Sequence, residues 1–274
     1  MLQKTILIFI IFFCSSCTTY KVIRKKDFPE KNKSFVIMNL VSNQIGGNGY
    51  RYFTSKQFDS TVDWDFNSKT SDLIKNLFET NGFLNIKIYP NFNSIKDNTT
   101  ILDLLKDIEL QTKNVPDYYI MLIPRKAQDT IVYGRLGGSG ELGLILLVPI
   151  VISAVINHNY VKYSDLEVSK DPIYKTQKEY SESNLKIISF GGIGSKQSNC
   201  SVGYDLLLID RKKNQLIAFN NSSAIKKLSN YYEWTKFDSF SSFTSEEKSE
   251  IKKECFQVVD KRIEGSLKDI GIIK

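Results

Sequence analysis

A chain of 274 residues with 42% hydrophobic and 24% charged residues has the composition of a globular protein, long enough for one large domain or two small ones. Its formal charge of +7 is spread along the chain, and the two runs of three basic residues are Arg24-Lys25-Lys26 and Arg211-Lys212-Lys213. That spread argues against nucleic-acid binding, which needs a dense basic patch on one element, and a single histidine excludes a multi-histidine metal site.

Met1 to Lys4 is a short, positively charged start, and Thr5 to Phe13 is a strongly apolar run. The run has the length of a signal-peptide core and is too short to span a bilayer. Cys14-Ser15-Ser16-Cys17 follows. This pattern resembles the lipobox of bacterial lipoproteins, in which small residues precede a cysteine that is lipidated. The resemblance implies cleavage between Ser16 and Cys17 and acylation of Cys17. Cys14 stands where that family usually carries Leu, Val or Ile. Two acyl chains already suffice for stable anchoring. With Thr18 after the cysteine, a Gram-negative source would place the protein at the outer membrane, on its periplasmic face.

Residues 17–33, polar and charged with one proline, read as a lipidated tether. Arg24-Lys25-Lys26 lies just after the anchor, where it would sit against anionic headgroups. From Ser34 the pattern is that of one domain, 34–274. Ser34 to Val41 is apolar like a buried central strand, and Gly46, Gly47 and Gly49 read as a flexible loop. Leu73, Ile74, Leu77 and Phe78 form one face of a helix, with Ser68, Thr70 or Ser71 as N-cap and Asn81-Gly82 as its stop. Phe83 to Tyr89 alternates as a strand. Ile101, Leu104, Leu105 and Ile108 form a second helix, capped by Thr99 or Thr100, and Tyr118 to Ile123 is a strand closed by Pro124. This β-α-β-α-β order with short connections implies neighbouring, largely parallel strands with helices packed on them.

The second half changes character. Thr130 to Arg135, Tyr160 to Val168 and Lys186 to Phe190 read as strands. Val202 to Ile209 and Gln215 to Asn220 read as two more, joined by the polar turn Asp210 to Asn214. Thr244-Ser-Glu-Glu247 fits a capping box. Ile251, Cys255, Val258, Val259, Ile263, Leu267 and Ile270 then continue one helical face. The fold class expected is α/β, with α+β as the alternative: a mixed sheet with a β-α-β-α-β start, a late antiparallel hairpin and a C-terminal helix packed on it. Together with the lipobox, the strand Asp117 to Ile123 and the strand Tyr204 to Asp210, this layout resembles the periplasmic α/β domains of the curli-secretion lipoprotein CsgG and the N-terminal region of TolB. In CsgG-like lipoproteins an insertion after the early α/β unit supplies membrane-inserting hairpins.

A comparable insertion stands at 136–160, where Leu142 to Ile156 is uncharged. As a helix those fifteen residues would reach about 22 Å against a hydrocarbon core of about 30 Å, with Pro149 kinking them. The segment therefore reads as a core element, or as a surface for the membrane or a partner through Leu144, Leu146, Leu147, Pro149, Ile150 and Ile152. Cys200 and Cys255 are candidates for a disulfide in an oxidising compartment, or for buried small hydrophobes. Candidate chemistry is sparse. His158 lacks a nucleophile-elbow partner, Asp63 and Asp65 flank Trp64 without a second carboxylate to oppose them, and Gly191 to Lys196 lacks the Walker spacing and reads as a hairpin loop. No catalytic residue, metal or cofactor is expected. The function expected is that of a lipid-anchored, non-enzymatic binding, assembly or scaffold component of the bacterial envelope, with an envelope protein partner or a homo-oligomer. The alternatives are an envelope hydrolase and a carrier of an apolar ligand.

Overall fold

The computed structural model describes residues 23–24, 29–41, 43–51, 54–89, 100–124, 184–192 and 195–274. Ser16, Cys17, the segment 142–156 with its apolar contact residues, the strands expected at 130–135 and 160–168, and His158 lie outside them. The described strands are β1 Ile23–Arg24, β2 Ser34–Asn39, β3 Gln44–Arg51, β4 Thr54–Thr61, β5 Asn85–Tyr89, β6 Tyr118–Pro124, β7 Leu185–Gly192, β8 Ser195–Asp210 and β9 Gln215–Lys227, all in one mixed sheet. The helices are α1 Phe66–Thr80, α2 Ile101–Thr112 and α3 Ser245–Asp269. The fold is α/β, as the alternation of patterns implied.

β2 lies between β5 and β6 and runs parallel to both. Its side chains alternate between two cores. Phe35 and Ile37 meet Ile74 and Phe78 of α1, while Val36 and Met38 meet Ile101, Leu104, Leu105 and Ile108 of α2. Fully burying one such side chain contributes about 1.5–3 kcal/mol, so a strand apolar on both faces secures a helix on each. The late hairpin β8–β9 is antiparallel, and α3 packs on the α1 side of the sheet against Val202, Tyr204, Leu206 and Leu208. Ile251, Cys255, Val258, Val259, Ile263, Leu267 and Ile270 are all buried, so the helical face read from spacing is the face that packs.

Local signals explain the element ends. Thr100 accepts from the Asp103 amide at the start of α2, and Thr244 and Glu247 close a capping box on α3. Gly82 adopts φ 87° just past α1, a conformation that favours glycine. Two expectations are corrected. The N-cap of α1 is Asp65, whose side chain makes no capping bond. Thr70 and Ser71 lie inside the helix, their hydroxyls bonded back to the carbonyls of Phe66 and Asn67, because Phe66 is drawn into the core and starts the helix early. Gly46, Gly47 and Gly49 are not a loop but the middle of β3. A Cβ at Gly47 would lie 2.1 Å from the Phe58 ring, and one at Gly49 would lie 2.8 Å from the Phe237 ring. The glycines are seats for aromatic rings, in a cluster with Phe240 and Phe243.

Cys200 of β8 and Cys255 of α3 are joined in a disulfide, with Cα atoms 5.7 Å apart, a separation within the ordinary range for the bond. It closes a loop spanning 55 positions, for which chain entropy sets an upper contribution of about 4 kcal/mol. Reduction, or Cys255→Ser, is expected to lower the unfolding free energy by about 2–4 kcal/mol in urea titrations. A midpoint that reductant leaves in place would show that the two sulfurs are not bonded.

Candidate functional site

The sheet is broken across its middle, and the break follows from the register of β8. One edge of β8 pairs with β9, from Asn199↔Lys227 to Asp210↔Gln215. Its other edge pairs with β6 from Asp210 to Tyr204 and with β7 from Val202 to Ser195. A strand has only two edges, so β6 and β7 lie end to end along β8, with Gly203 opposite the gap. The Gly203 amide donates to the Asn184 carbonyl at 2.9 Å. β2 and β3, alongside β6 and β7 respectively, repeat the arrangement. Pro124 and Leu185 are opposite Tyr204 and Val202. The chain from 125 to 184 therefore leaves and rejoins the sheet at almost one point.

A buried amide network fills the joint between β2 and β3. The Asn39 Nδ2 donates to the Asn67 carbonyl at 2.9 Å and to Thr70 Oγ1 at 2.5 Å, and the Val41 amide donates to Asn39 Oδ1 at 3.0 Å. Asn67 Nδ2 donates back to the carbonyls of Asn39 and Val41. The Phe66 amide, which Asp65 leaves uncapped, donates to Asn43 Oδ1 at 2.8 Å. Bonds of this kind satisfy the backbone groups that the interrupted ladder releases.

Beyond the break, the face of the sheet that carries α2 changes from apolar to polar. Cross-strand partners share a face, so Asp59, Gly46, Lys186 and Ser201 stand in one row, with Gln57, Asn48, Ile188 and Asn199 in the next. Asn48, Asn184, Lys186, Asn199, Ser201 and Asp205 are all buried, Asn184 completely and Lys186 to 8% exposure. No described helix packs on this half of the face. Among the described residues, both side-chain polar atoms of Asn184 and the Nδ2 of Asn199 are buried without a hydrogen bond. Burying such groups is unfavourable unless they are paired, and this half of the sheet is polar in the protein's interior, not on its surface. Among the described residues of this half-face there is no histidine or thiol to activate a nucleophile.

The densest cluster of charge lies at the opposite pole and is structural. Arg211 holds Glu109 in a fork through Nε and Nη2, the latter at 2.8 Å, and Tyr119 donates to the same carboxylate. The Arg211 bonds hold the Glu109 carboxyl below its usual range. Asp117 accepts from the Ser34 amide at 3.0 Å, from the Ser34 hydroxyl at 2.9 Å and from Lys212 at 3.0 Å. With the Ser34 amide as the largest cause, its pKa falls to about 2. These bonds clamp the β8–β9 turn, which Arg211-Lys212-Lys213 occupies as expected, onto α2 and the start of β2.

The other sequence candidates do not converge. Asp63 and Asp65 are both exposed, on the loop from β4 to α1, and Trp64 between them is buried against Phe240. Gly191 and Gly192 end β7 and pair with Lys196 and Ser195 of β8, so the hairpin expected at 191–196 is present but four of its six residues are strand, not loop. No cluster of three metal-ligating side chains occurs among the described residues. No described helix is long and apolar enough to cross a membrane. The polar face went unread in the sequence, although its signal was present. Asn199-Cys-Ser-Val-Gly-Tyr-Asp205 alternates polar and apolar, then gives way to the unbroken run Leu206 to Ile209.

No protein-family model and no curated protein sequence matches the chain. Among solved structures, a PelC dodecamer from Paraburkholderia phytofirmans is similar at TM-score 0.35 and 7% identity, covering 92% of this chain and 98% of that one. A Xanthomonas campestris protein of family DUF330 is similar at TM-score 0.29 and 7% identity, covering 90% and 95%.

The Asp117 pKa yields a pH prediction. A carboxyl depressed when folded contributes stability that is complete above its unfolded value of 3.8 and is lost as the pH falls through about 2. The contribution is of order 1–2 kcal/mol after allowance for partial exposure. Urea titrations between about pH 5 and pH 2 are expected to show native stability falling by that amount more than in Asp117→Asn. Parallel curves would show that the bonds to Ser34 and Lys212 contribute nothing.

Proposed function

We propose that the chain is a lipid-anchored, non-enzymatic binding or assembly component of a bacterial envelope, attached through Cys17 and acting through the segment inserted between β6 and β7. The observation that carries this reading is the placement of Pro124 and Leu185 two residues apart along β8. Two positions on a strand are about 6.6 Å apart. Some sixty residues, the uncharged run 142–156 among them, thus connect two neighbouring points on β8. An insertion so placed can serve recognition without disturbing the core. Leu144, Leu146, Leu147, Pro149, Ile150 and Ile152 would meet the membrane or a partner protein, either another envelope component or a second copy of the chain. The lipobox supports the anchor, and an oxidising envelope compartment suits the Cys200–Cys255 bond.

Two measurements test the reading. Intact-mass analysis of membrane-extracted protein is expected to give a mature chain starting at Cys17 with added acyl mass, lost in Cys17→Ala. A mass that begins elsewhere and carries no lipid would refute the anchor. Replacing 136–160 by a short Gly/Ser loop is expected to shift the urea midpoint little, because the strands on either side hold their own register. The same variant should lose co-purification of envelope partners or self-association on native gels. A variant that folds and associates like the parent would move the binding function elsewhere.

A further inference from the structure

We draw no further inference here: the strongest candidate, the buried polar half-face of β3, β7 and β8 around Asn184 and Asn199, carries none, because no described helix packs on it and nothing in the structure shows what covers it.

Discussion

Everything described in this sheet is referred to β8. Its sixteen residues pair with β9 along one edge and with β6 and then β7 along the other. They carry Val202, Tyr204, Leu206 and Leu208 into one core and Leu207 and Ile209 into the other. A strand this long lets two separate pieces of chain be aligned by backbone bonds alone. β6 and β7 need no contact with each other to lie in line, because each has its own register on the same template. The Cys200–Cys255 bond ties the upper part of that template to α3.

The break opposite Gly203 follows from this arrangement. A strand interrupted in sequence stays continuous in space, and the interruption leaves backbone groups to be satisfied locally. Asn39, Asn43 and Asn67 supply those bonds beside β2 and β3, and the Asn184 carbonyl receives the Gly203 amide. The two halves of the sheet then differ in what covers them. Below the break, helices lie on both faces. Above it, the α1 side is closed by Phe237, Phe240 and Phe243, which pack with Phe58 over the glycines of β3. On the other side the buried positions are polar: Asn48, Lys186, Asn199 and Ser201. The same few strands thus carry an apolar half-face and a buried polar one, divided along one line.

Charge is distributed in a way that follows the same geometry. The fork between Arg211 and Glu109 and the bonds from Ser34 and Lys212 to Asp117 consume the basic turn at the hairpin pole. That pole is therefore stitched shut. Lys226, Lys253 and Lys261 remain exposed where α3 borders β9, among Glu250, Asp260 and Glu264.

Where a pattern was local, the sequence alone determined the outcome. The stripe from Ile251 to Ile270, the capping box at Thr244 and Glu247, the stop at Asn81-Gly82 and the polar turn at Arg211 to Asn214 depend on residues within a few positions of one another. Each forms as its spacing implies. The β-α-β-α-β order fixed the parallel trio β2, β5 and β6 for the same reason, since short connections leave few alternatives. Tertiary structure decided what depends on distant partners. Gly46, Gly47 and Gly49 carry no β propensity, yet they stand in a strand, with the rings of Phe58 and Phe237 in the space that side chains at Gly47 and Gly49 would fill and Lys186 and Asp59 against Gly46. α1 begins at Phe66, before the expected caps Ser68, Thr70 and Ser71, because the Phe66 ring is buried in the core. The collinearity of β6 and β7, the polar half-face above the break, and the edge to which β1 pairs arise from register on β8 and β9. Register is a relation between segments far apart in the chain, and no single stretch of sequence contains it.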